Sequence, residues 1–98
     1  MDRKRVIDRL RAHESELRER GVLQLSLFGS VARDEAGTAS DVDVAVRLDP
    51  ARKLNLFQFG AIAEWLEDVL GTKVDLLCEP IEKERLRERV ERDRALVF

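Results

Sequence analysis

Asp41 and Asp43 stand one residue apart in the stretch DVDVAV. Successive side chains on a strand point to opposite faces, so the two carboxylates share a face, about 7 Å apart at the backbone. Two bare carboxylates so placed repel each other. A divalent cation between them makes the arrangement favourable. Oxygen ligands of this kind suit Mg2+ or Mn2+, which keep water and substrate phosphate in their remaining positions. Asp75 adds a third carboxylate, flanked by Val74 and Leu76. The chain between the two sites is long enough to hold a crossover helix and to set one strand beside the other. Three converging carboxylates are the ligand set of a two-metal phosphoryl-transfer site.

Gly29 and Ser30 precede this pair. A glycine lets backbone approach a phosphate closely, and the serine offers a hydroxyl and an amide at the start of a short helix. Each feature also has a plainer reading. Asp41 and Asp43 could be the solvated face of an edge strand, where alternating polar residues are normal. An acid on the exposed face of KVDLL is unremarkable for Asp75. It is the combination with Gly-Ser that favours the phosphate reading.

The elements that must position these residues follow from periodicity. Residues 2–20 read as one helix, with Val6, Ile7, Leu10 and Leu17 near helical spacing and Gly21 as its stop. His13 sits close to that stripe as an edge residue. Residues 22–28 alternate as a strand, with Leu23, Leu25 and Leu27 on one face and Gln24 and Ser26 on the other. A short helix over 30–35, starting at Ser30, leads into the loop EAGTAS. A second strand spans 41–48 and Pro50 breaks it. Asn55 and Gln58 form a capping box for a helix over 56–70, closed by Gly71. Trp65 on that helix belongs with the core. Residues 73–77 form a third strand, Pro80 opens a helix over 80–92, and the tail ALVF suits an edge strand. The charge run EKERLRERVERDR reads as a solvated helix with i,i+4 pairs, or alternatively as a docking surface. The expected fold is α+β: a mixed sheet with helices packed mainly on one face.

Composition narrows the class. The chain has 98 residues, which suits a single domain over 1–98, and 44% of them are hydrophobic, enough for a modest core. Charged residues reach 39%, yet the formal net charge is only −2, so there is no basic excess to mark a polynucleotide binder. One cysteine, Cys78, excludes an intrachain disulfide and favours a reducing, cytoplasmic setting. The N-terminus has no apolar signal core, and no run is long enough to span a membrane.

The stretch GSVARDEAGTASDVDV resembles the signature of the DNA polymerase beta-like nucleotidyltransferase superfamily: Gly-Ser, a polar run, then Asp-x-Asp on a strand. The opening GSxAR, the closing SDxD and the short length look most like its minimal nucleotidyltransferases. One departure is Asp34, where many relatives carry Gly. The resemblance implies that Gly29 and Ser30 bind the β- and γ-phosphates and that Asp41 and Asp43 ligate two metal ions. It implies that Asp75 ligates the catalytic metal and helps deprotonate the acceptor hydroxyl. Arg33 matches the family's Arg, with either a phosphate contact or an ion pair as its role, and Ser40 shapes the turn beside the nucleotide. The implied reaction is Mg2+-dependent transfer of a nucleotidyl group from ATP to a hydroxyl. Minimal nucleotidyltransferases pair with HEPN-domain toxins and act as antitoxins by adenylylating a toxin tyrosine, which makes such a toxin the expected partner. Two other readings stand beside this one. The chain could be a binding module that neutralises its partner by occlusion, or a subunit that modifies a small molecule such as an aminoglycoside.

Overall fold

A computed structural model describes residues 2–35 and 41–98. Their elements run α1 (Arg3–Ala12), α2 (Glu14–Glu19), β1 (Val22–Phe28), α3 (Gly29–Ala32), β2 (Val42–Leu48), a 3-10 turn (Pro50–Arg52), α4 (Leu56–Leu70), β3 (Val74–Glu79), α5 (Glu84–Asp93) and β4 (Ala95–Leu96). The strands form one sheet in the order β3-β2-β1-β4. β1 pairs antiparallel with β2 and with β4, while β2 and β3 are parallel, joined by the α4 crossover. This is the expected mixed sheet, and the tail does supply the edge strand.

The strand pleat sorts side chains to two faces. Val42, Val44 and Val46 of β2, with Leu25 and Leu27 of β1, face a core closed by Val6 and Leu10 of α1, Leu17 of α2, and Ile62, Leu66 and Leu70 of α4. The other face carries Phe28, Asp43, Ala45, Asp75 and Leu77 in register. There α5 lays Val90 on Phe28 and Ala45, with Leu77 and Ile81 alongside. Helices thus pack mainly, though not solely, on one face.

Three expectations change. The helix expected over residues 2–20 is two helices, interrupted at His13, whose amide reaches back only to the Leu10 carbonyl. α1 packs on α4 while α2 packs on β1, so the break lets one apolar stripe serve two supports. Leu23 does not share the face of Leu25 and Leu27. The β1–β2 register shifts between Val22 and Gln24, a bulge that leaves Leu23 exposed and turns Val22 inward. The last helix begins at Glu84, not at Pro80, which lies in an irregular segment before it.

Smaller shifts also occur. β3 runs on to Glu79, and α3 starts at Gly29. The Asn55–Gln58 capping box is present with both reciprocal bonds, at 2.8 and 2.9 Å. Trp65 sits against the margin of the core, edge-on to His13, and His13 also bonds Glu16. Both keep the places expected of them.

Candidate active site

Parallel pairing of β2 with β3 sets Asp43 directly beside Asp75. In a parallel pair, residues in register project to the same face, so the two carboxylates meet above the sheet. Asp43 is half-buried. Its carboxyl is pushed above the ordinary carboxylate value, first by desolvation, then by the charge and hydrogen bond of Asp75. Arg89 on α5 pulls the other way, and Asp41 adds a smaller push upward. Asp41 lies just before β2, half-buried, one step further from the pair.

Gly29 closes the other side. It follows Phe28, which stands opposite Asp43 in the β1–β2 register. Its φ of +74° lies in the left-handed region that glycine tolerates, and a Cβ there would run into the Asp43 carboxylate. The backbone can turn this tightly against the acid only because the residue is glycine. Ser30, half-buried, begins the helical turn that leaves from this point.

The donor set is all oxygen, which fits a hard divalent cation. Among the described residues no three His, Cys, Asp or Glu side chains form a ready cage. The three-carboxylate convergence expected from the sequence is instead a close pair with Asp41 at its edge. That fits a metal which keeps several waters and takes further ligands from substrate phosphates.

The family description Nucleotidyltransferase domain matches residues 10–97. The chain belongs to this nucleotidyltransferase family. It is similar to the protein adenylyltransferase MntA of Thermococcus cleftensis, with 40% identity over 85 residues, covering 86% of this chain and 84% of that protein. A relative from Methanocaldococcus jannaschii, provisionally named a protein adenylyltransferase, is 33% identical over 90% of each chain. A solved structure provisionally described as a minimal nucleotidyltransferase superposes with a TM-score of 0.80 at 34% identity, covering 97% of this chain and 95% of its own. The MNT antitoxin structure with a tri-AMPylated Shewanella oneidensis HEPN toxin shares the fold, with a TM-score of 0.69 at 20% identity over 98% of this chain and 71% of that one. Nucleotidyltransferases of this family generally work with divalent metal ions.

The rest of the nucleotidyltransferase site divides in two. Ser40 lies outside the described residues. Arg33 forms an ion pair: it donates to Asp93 at 2.6 Å and to Glu35 at 3.1 Å. The Asp93 side chain is 2% exposed, so this pair ties the end of α3 to the end of α5. Of the two roles open to Arg33, the ion pair is the one present. Asp34 adopts a φ of 58°, in the left-handed region that glycine tolerates best.

Sequence reasoning missed the second layer beneath the site. Ser26, fully buried, accepts a 2.9 Å hydrogen bond from Arg94, which also pairs with Glu79 and Glu91. Nothing in the alternation of β1 marks Ser26 as buried, and nothing in the charge run singles out Asp93 or Arg94. Both depend on α5 crossing this face. The i,i+4 pairs expected along α5 are not formed among the described residues. Its ion pairs gather at its C-terminal end instead.

Proposed function

We propose that this nucleotidyltransferase transfers an adenylyl group from ATP to a hydroxyl of a partner protein. The reading carries over from the adenylyltransferase relatives, with a tyrosine of a HEPN-domain toxin as acceptor and an antitoxin role in the cytoplasm. One domain over residues 1–98 would suffice, with the partner supplying the acceptor. The observation that carries the reading is the Gly29 backbone turned against Asp43, itself paired with Asp75. A backbone turn beside an acid pair is what a nucleoside triphosphate with its divalent cation would need, and this supports the reading.

Gly29 and Ser30 would hold the β- and γ-phosphates. Asp41, Asp43 and Asp75 would hold Mg2+, two ions being the expected number and Mn2+ a substitute. The bound metal supplies charge stabilisation to the phosphates as negative charge moves to the leaving group. Asp75, the exposed member of the pair, would accept the proton of the acceptor hydroxyl. That oxygen attacks the α-phosphorus, the bond to the bridging oxygen breaks, and pyrophosphate leaves. Arg33, engaged by Asp93, would act by holding the Gly-Ser turn in place.

The test is incubation of the chain with ATP and Mg2+, with and without its toxin partner, read by intact mass. One adenylyl mass added to the partner, lost in Asp43→Asn, supports the reading. A tight complex that neutralises the toxin without added mass would replace it with occlusion.

A further inference from the structure

We propose that Arg89 binds the triphosphate of the nucleotide, as a cation that α5 carries over the carboxylate pair. The inference rests on the nucleotide-binding reading above and adds to it a residue from outside the Gly-Ser and Asp motifs.

Val90 is wholly buried against Phe28 and Ala45, two residues on the face that bears Asp43. Phe28 is the register partner of Asp43, and Ala45 follows it on β2. α5 therefore crosses the face of the site itself. The helix is held there at its far end, by Arg33 on Asp93 and by Arg94 on Ser26 and Glu79. Arg89 is exposed on this anchored helix, next to Val90.

Charge decides which cation is available. A triphosphate entering a patch of carboxylates needs positive charge beyond what a divalent ion supplies. Arg33 is engaged by Asp93 and Glu35, Arg92 by Asp93, and Arg94 by Glu79 and Glu91. Among the described residues no carboxylate forms an ion pair with Arg89. Arg89 stands one helical turn before Asp93, the residue that holds Arg33 at the end of α3, so it shares the side of α5 that faces the Gly-Ser turn. A guanidinium offers a fork of donors that matches phosphate oxygens and keeps its charge at every working pH.

The test compares wild type, Arg89→Ala, Arg89→Lys and Arg5→Ala. Arg5→Ala is a charge control on exposed α1, which packs against the opposite face of the sheet. Binding of a non-hydrolysable ATP analogue with Mg2+ is measured by calorimetry, with thermal melts to confirm folding. Loss of one charged hydrogen bond predicts roughly tenfold weaker binding for Arg89→Ala. Arg89→Lys should recover part of the loss, and Arg5→Ala should bind as wild type. A folded Arg89→Ala with wild-type affinity overturns the proposal, as does an equal loss in Arg5→Ala. Asp43→Asn assayed for transfer in parallel separates the two readings. If it abolishes transfer while Arg89→Ala binds normally, only the Arg89 assignment falls. If transfer survives in Asp43→Asn, the site itself is misread.

Discussion

A methyl group on Gly29 would meet both a left-handed backbone and the Asp43 carboxylate. The first alone costs about 1–2 kcal/mol. The second forces the acid off its partner Asp75. Gly29→Ala is therefore expected to lower the melting temperature and to abolish transfer while partner binding persists, checked by melting, mass and co-purification. Asp43 carries the opposite balance. Because its carboxyl is raised above 3.8, the native state keeps this proton longer than the unfolded chain does. Stability from this group falls as pH rises from that ordinary value through the raised native one, and stays low above it. In metal-free buffer Asp43→Asn should thus melt above wild type at neutral pH, with the gap closing below pH 3.8, yet be inactive. A melting temperature below wild type at neutral pH would show that the carboxylate stabilises the fold. Ser30→Ala should weaken nucleotide binding by ~1.5–3 kcal/mol, the worth of one hydrogen bond to a charged group, read by calorimetry.

At the scale of elements, α5 is the member whose placement the site depends on. Its apolar stripe is thin and Val90 is its wholly buried apolar residue, so polar contacts hold it as much as packing does. Asp93 shows how. Desolvation pushes its carboxyl up, but the guanidinium groups of Arg92 and Arg33 outweigh this and hold it below the ordinary value. A lowered native value contributes stability that is full above 3.8 and lost as pH falls through the native one. Asp93→Asn should melt lower than wild type at neutral pH, with the difference shrinking in acid. Because Arg33 and the Gly-Ser turn depend on the same contact, its nucleotide affinity should fall too. α4 offers a contrast, since its start is determined locally. Asn55→Ala should cost about 1 kcal/mol of stability in denaturant titration and leave transfer unchanged.

Over the whole molecule, the two sheet faces divide the work. One face is a sealed apolar core, where Leu66→Ala should cost about 2–5 kcal/mol in a denaturant titration through the cavity it leaves. The other carries the acids, the Gly-Ser turn and a single charged helix. Formal charge nearly cancels over the chain, at −2, while the carboxylates concentrate at one end of β2 and β3. Such a local field attracts cations without making the whole surface acidic. Among the described residues no helix is long and apolar enough to cross a membrane.

The sequence by itself determined the first three strands, the capped α4 helix, the tail strand and the identity of the acids, Gly29 and Ser30 as candidates. These rest on short-range rules: alternation, helical period, and glycine or asparagine at ends. Only the tertiary structure decided that Asp43 meets Asp75 while Asp41 stays at the margin, because that depends on the β2–β3 register. It also decided that Leu23 turns outward at a bulge, that the first helix breaks at His13, and that Arg33 is engaged by Asp93. Each depends on a partner distant along the chain, and local periodicity carries no information about distant partners.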